Sequence, residues 1–344
     1  MSQWRDGGFD RATDAAARST AMFKLFANIF DRDDANKSRL PESLIKDAIE
    51  RAVDGTDPRV RAVPGYARTL KRSVIHAVEY VIQLVDSLPE PVPLTHAARQ
   101  DHPVLGALFY SAARLDEIVG RDAELLKFCR TQRPVPAVVT ALLVAQKTEK
   151  HGFGFGLLND RLVRDVAQTT VSFDQHRLLE PAASETETRR LLKRRAFDIV
   201  LSTALSQVAE RKEERSALAE RKRLLRCKLA ILDRHGSFSN PAEAAEQAQL
   251  QARLDAIEQQ LSALGPSGSV LPGTLATVAQ VLGEAERHVW LEESLLCLDL
   301  RYILHAKPSP AAPQIAFREV HDSAARQSTV QMVTIPGELL PAGA

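Results

Sequence analysis

Two short runs of basic side chains are the first residues in this 344-residue sequence that invite a chemical reading. Arg189, Arg190, Lys193, Arg194 and Arg195 fall within two helical turns, and Arg221, Lys222, Arg223, Arg226 and Lys228 form a second cluster. Each contains a basic-Leu-Leu-basic core, at Arg190 to Lys193 and again at Arg223 to Arg226. Guanidinium and ammonium groups at this density recognise carboxylates or phosphates, so the chemistry expected of them is binding rather than bond-making. The same residues also describe a solvated helix flank, neutralised by Glu185, Glu187, Glu210, Glu213 and Glu214. Few aromatics interleave with the basic side chains, which disfavours stacking of single-stranded bases. Arg211, Lys212, Arg215 and Lys222 interrupt the apolar spacing of this segment, so its inner half is expected to meet a third surface.

Other constellations are weaker. Gly152-Phe153-Gly154-Phe155-Gly156 has the glycines of a phosphate loop but neither their GxGxxG spacing nor a following helix, and is expected at a hairpin edge. Asp31, Asp33 and Glu42 match three positions of a calcium loop, yet Ala35 and Asn36 stand at a ligand and the glycine position, so an inter-helix loop is expected. His321-Asp322 reads as a hairpin tip. His288, Glu292, Glu293, Asp299 and Arg301 scatter over both faces of a strand region, and no nucleophile, base and orienting carboxylate emerge. Cys129, Cys227 and Cys297 lack CxxC spacing, which argues against a zinc module or disulfide framework and for buried thiols. Cys227, between Arg226 and Lys228, has the most basic surroundings. No cofactor, metal or catalytic set is expected.

The elements that carry these residues follow from periodicity. Apolar residues recur every three or four positions through Met22 to Phe30, Leu44 to Ala52, Leu70 to Leu88 and Leu105 to Val119, predicting helices. Pro89 and Pro91 end the third, and Gly120 stands in a capping position for the fourth. Beyond Pro134 and Pro136 the period becomes two. Val138 to Thr148 and Ala167 to Phe173 predict an antiparallel hairpin turning at Asn159-Asp160. Leu296 to Leu304, Gln314 to Val320 and Thr329 to Ile335 predict a C-terminal meander.

Between the β regions, Glu185 to Arg234 contains no proline or glycine and predicts one very long helix. His235-Gly236 ends it, and Asn240-Pro241-Ala242-Glu243 restarts a helix with a cap and a first-turn proline. Leu250, Leu254, Ile257, Leu261 and Leu264 supply a coiled-coil seam facing Leu218, Leu225, Leu229 and Leu232. Charge agrees: residues 185–234 carry 14 basic against 8 acidic side chains, whereas 235–265 carry Arg253 against four carboxylates. The return arm is about 37 Å long, which predicts a projecting rod. Gly265-Pro266-Ser267-Gly268-Ser269 loosens the chain before a short helix over Leu275 to Leu282.

Length and composition set the limits. Apolar residues at 44% and charged residues at 26% describe a folding chain, and 45 basic against 44 acidic residues leave no general field for nucleic acid or membrane. The N-terminus lacks a secretory signal and no apolar run spans a bilayer, so a cytoplasmic protein without a transmembrane segment is expected. The fold class expected is α+β: an N-terminal helical layer (1–133) packed on an antiparallel sheet (134–184 and 269–344), with an antiparallel coiled-coil helical hairpin (185–268) inserted. The function expected is a non-catalytic adaptor or assembly component that associates with a protein partner or a second copy through this hairpin. Arg189, Arg190, Lys193, Arg194, Arg195, Arg211, Lys212, Arg215 and Lys222 are the expected contact residues. A peripheral binder of nucleic-acid phosphate or acidic lipid, and an enzyme of unknown reaction, are the two alternatives.

Overall fold

The computed structural model describes residues 40–158, 161–235, 241–264 and 270–340. The expected Met22 to Phe30 helix and most of the calcium-loop positions lie outside them. The described chain is α+β, with nine α-helices and a seven-stranded sheet among those residues. Its contacts divide it into two compact units, one of residues 79–197 and 286–340, the other of 40–78 and 198–285. Each unit is assembled from segments far apart in sequence.

The first unit holds the sheet. Its strands are β1 (Val92–Pro93), β2 (Val138–Leu158), β3 (Arg161–Ala182), β4 (Val289–Leu298), β5 (Leu304–His305), β6 (Gln314–Asp322) and β7 (Gln327–Pro336). The order is β3-β2-β7-β6-β4-β5, antiparallel throughout, with the short β1 added parallel to β7. Bulges in the β2–β3 ladder between Thr140 and Leu142 and between Val144 and Gln146 increase the local twist. The sheet curls until its edges meet: the Val171 N–H donates to the Tyr302 carbonyl at 2.8 Å, and Thr170 bridges Ile303.

Strand alternation then fills both faces. Val139, Ala141, Leu143, Phe317, Val333 and Ile335 point into a core completed by α3 (His96–Asp101), α4 (Pro103–Leu108), α5 (Ala112–Arg121) and α6 (Ala123–Thr131). On the opposite face Leu142, Val330 and Met332 meet Val85 and Leu88, at the end of α2 (Tyr66–Asp86), and Leu192 of α7 (Glu185–His235). The start of α7 is pinned where the Thr188 hydroxyl donates to the Thr140 carbonyl, 2.8 Å, in a fully buried contact.

Two expectations for this unit are corrected. The single helix over Leu105 to Val119 is two helices, because Phe109 is extended and buried and Ser111 restarts the chain by accepting from the Arg114 N–H. Gly120 lies inside α5, which ends instead at Asp122, the cap of α6. The alternation from Leu296 to Leu304 is not one strand. Asp299 accepts from the N–H groups of Arg301 and Ile303, Tyr302 takes a positive φ of 61°, and this tight turn leaves Leu300 98% exposed.

The second unit is helical. It contains α1 (Glu42–Asp54), the beginning of α2, the greater part of α7, α8 (Pro241–Ala263) and α9 (Val270–Gly283). The last is longer than the expected Leu275 to Leu282, because Pro272 fits the first turn, where a missing N–H costs nothing. Leu44, Ala48, Ala52, Leu70, Val74, Val200, Ala204, Val278 and Leu282 are all buried. Farther along α7, Leu225 forms a separate apolar cluster with Leu250, Leu254 and Ile257 of α8, with Leu218, Leu229, Leu232 and Leu261 packed against it.

Candidate functional site

The first basic cluster is consumed by its surroundings. Arg189 donates to the carbonyls of Val85, Leu88 and Pro89 at 2.7, 3.0 and 3.1 Å where α2 ends, and its Nε donates to Glu185. Lys193 pairs with Asp86 at 2.7 Å, Arg190 with Glu187, and Arg195 with Glu180 at 2.9 Å and Glu124 at 3.2 Å. Arg194 is also engaged. Arg189, Lys193 and Arg195 act as fasteners, holding α7 onto its neighbours in the sheet-containing unit, while Arg190 pairs within α7.

Three of the polar interruptions of α7, Arg211, Lys212 and Lys222, likewise find partners within the helical unit. Arg211 donates to the Thr277 hydroxyl of α9 at 2.7 Å. Lys212 reaches the Asp57 carboxylate at 3.0 Å, where Arg59 also donates through Nε and Nη2. The hydrogen bonds from Arg59, joined by those from Lys212, hold the Asp57 carboxyl far below the usual carboxylate range. Arg215 lines a cleft of about 290 Å³ with Arg211, Glu214, Thr274 and Thr277. The third surface that these residues meet is α9 and the chain around Asp57.

Beyond Arg215, α7 has two apolar stripes of different fate. Leu218, Leu225, Leu229 and Leu232 are spaced seven, four and three apart and face α8, with Lys222 on the same side. Lys222 and Arg226 both pair with Glu258, at 3.0 and 2.8 Å, and the Lys222 bond leads in lowering the Glu258 carboxyl below its ordinary pKa. At 100° per residue, Ala217, Leu224, Cys227 and Ile231 form a second stripe about 130° round the helix from the first, interrupted by Glu220, which pairs with Arg223 at 3.0 Å and is exposed with them. All five are exposed, Leu224 by 53% and Ile231 by 55%. Arg221 and Lys228 edge this stripe, and neither has a charged partner among the described residues. Leucine and isoleucine lose favourable burial when left in water, so this stripe is a ready contact surface for another protein.

Other candidates from the sequence resolve into structure. In the Gly-Phe run, β2 has passed the end of β7 at Ala145 and pairs only with β3. There Gln168 donates to the Phe155 carbonyl at 2.7 Å, and a side chain at Gly154 would displace that amide. Asp322 accepts from Ala324 and Arg326 in a turn, while His321 stacks on Trp290 with ring centres 5.4 Å apart. Cys129 and Cys297 are buried, whereas Cys227 is exposed, against the expectation of three buried thiols. Among the described residues no cluster of His, Cys, Asp and Glu could hold a metal ion, and no helix is long and apolar enough to cross a membrane.

One polar group escaped sequence reasoning. Lys147 of β2 pairs with Glu319 of β6 at 2.8 Å inside the curled sheet, Gln327 donates to the other Glu319 oxygen at 2.6 Å, and Glu319 is only 4% exposed. Its parity was a readable signal, because Glu319 continues the inward positions of Ile315 and Phe317. Both partners are held, so the pair ties strands together. No family model, curated protein or solved structure matches this chain.

Proposed function

We propose that this chain is a non-catalytic assembly component that engages a protein partner through the outer stripe of α7, on a helical hairpin formed by α7 and α8. One observation supports the reading: within one stretch of α7, Leu218, Leu225, Leu229 and Leu232 pack against α8, whereas Leu224, Cys227 and Ile231 are exposed among the described residues. The stripe facing α8 accounts for the stability of the pair, so Leu224 and Ile231 add nothing to the fold that alanine would not. An interaction through them buries apolar area with charge at the margins, the usual anatomy of a protein contact. The anionic-surface alternative draws less support, because the five cations at 189–195 that it would employ already have partners.

The test is the pair of substitutions Leu224→Glu and Ile231→Glu in the full-length chain. Unfolding stability is expected to change by no more than about 0.5 kcal/mol, as for exposed positions. Association, followed by co-purification and light scattering, is expected to weaken at least tenfold. Full retention of every association by the doubly substituted chain would remove the proposal.

A further inference from the structure

We infer that the cleft between α7 and α9 in the helical unit binds the phosphate of a small organic phosphomonoester, held by Arg211 and Arg215. This site is separate from the outer stripe of α7 and does not depend on it. On α7 the cleft is lined by Val208, Arg211 and Arg215, which are three and four positions apart and share one helix face. On α9 it is lined by Val270, Gly273, Thr274 and Thr277, again three, one and three apart on one face, and Ala263 and Leu264 come from the end of α8. Thr274 and Thr277 are buried, and each donates its hydroxyl proton within α9, to the carbonyls of Val270 and Gly273 at 3.0 Å. Donors for an anion in this cleft must therefore come from α7.

Charge and size narrow the ligand. Lys212, at one edge of the cleft, is already paired with Asp57. Arg211 reaches only a neutral group, the Thr277 hydroxyl at 2.7 Å, and Arg215 is half-buried with no partner among the described residues. A guanidinium taken partly out of water without an acceptor costs free energy that a bound anion returns. Two such cations one helical turn apart match a phosphomonoester, which carries about −1.5 to −2 charges at neutral pH, better than a carboxylate carrying one. Glu214 is the one carboxylate lining the cleft among the described residues; it is exposed and lies about 100° round α7 from Arg215, where a ligand hydroxyl can donate to it. The volume of about 290 Å³ falls at the small end of ligand pockets. Val208, Ala263 and Leu264 give it apolar walls, which a short carbon body covers and a bare phosphate ion does not.

Titration of the full-length protein with glycerol 3-phosphate at constant ionic strength, read by calorimetry and by the rise in melting temperature, tests this. A dissociation constant of about 1 mM or tighter is expected. Inorganic phosphate is expected to bind at least threefold more weakly, and glycerate, which offers a carboxylate in place of the phosphate, at least tenfold more weakly. Arg215→Ala removes a side chain without a described partner, so it is expected to keep the circular dichroism and melting temperature of the free protein while weakening glycerol 3-phosphate at least tenfold. Arg68→Ala, at an exposed arginine of α2 that also lacks a described partner, is expected to leave the affinity unchanged. Neither heat nor a rise in melting temperature with glycerol 3-phosphate would overturn the inference. So would inorganic phosphate or glycerate binding as tightly, full affinity in Arg215→Ala, or an equal loss in Arg68→Ala.

Discussion

Arg190-Leu191-Leu192-Lys193 and Arg223-Leu224-Leu225-Arg226 lie on one helix and are nearly the same sequence, yet they meet opposite fates. In the first, Leu192 and Lys193 are both buried and the neighbouring Arg189 and Arg195 bond carbonyls and carboxylates of other elements. In the second, Leu225 is buried against α8 while Leu224 is exposed, and Arg226 shares one carboxylate with Lys222. A basic-Leu-Leu-basic core therefore has no fate of its own. Where several elements surround the helix, even its cations acquire fixed partners; where one helix accompanies it, half of its apolar side chains are left for something else.

The most severe way to probe the covered region is to remove a cation whose partner is sealed in. Lys147→Met leaves the Glu319 carboxylate buried without its counter-charge and is expected to cost about 3–5 kcal/mol in denaturant unfolding. Adding Glu319→Leu should return most of that loss. An equal loss in the single and double variants would show that the pair does not tie the strands.

Next in size is the contrast within the second core. Leu225→Ala should destabilise by about 2–3 kcal/mol through the cavity it opens against Leu250, Leu254 and Ile257. Leu224→Ala, one residue earlier, should stay within about 0.5 kcal/mol. Similar costs at the two positions would erase the distinction between the stripes.

These contrasts also show what was legible from sequence. The long α7, the separate helix α8 and the leucines packed between them follow from a period of three to four, which is a local property. The β2–β3 pairing and the strands β6 and β7 follow from a period of two in the same way. The break at Phe109 and the turn at Asp299 were hidden because the apolar spacing runs straight through both, and short polar side chains at Ser111 and Asp299 redirect the backbone against it. The partners of Arg189 and Lys193 were unreadable for a different reason. Val85, Asp86 and Leu88 lie about a hundred positions earlier, and only the packed sheet brings them near. At the candidate site, the inner stripe and the polar interruptions were visible, but Leu224 and Ile231 were passed over and Cys227 was expected to be buried, since a side chain's exposure depends on which neighbours are missing.

A gentler probe uses acidity. Burial pushes the His176 imidazole below its ordinary pKa, partly opposed by its bond to the Leu108 carbonyl at 2.9 Å. The unfolded chain then takes up a proton before the folded one, so stability contributed here is present above about pH 6.5 and falls as the pH drops below it. His176→Gln should flatten that limb of the stability–pH curve, and an unchanged slope would remove His176 as its source. The smallest effect belongs to the uncovered region: Arg221→Ala with Lys228→Ala should leave stability within about 0.5 kcal/mol and reduce the salt dependence of association. A clear loss of stability would mean that these cations are fasteners too.

Cys227 offers the most direct reading of whether the outer stripe of α7 is covered, because it lies in that stripe and is exposed while Cys129 and Cys297 are buried. The rate of its alkylation can be compared between the dilute purified protein and the protein at native abundance in its own cell extract. Coverage predicts at least tenfold slower labelling of Cys227 in the extract, with speed restored by Leu224→Glu and Ile231→Glu. Equal rates in all three samples would contradict the account.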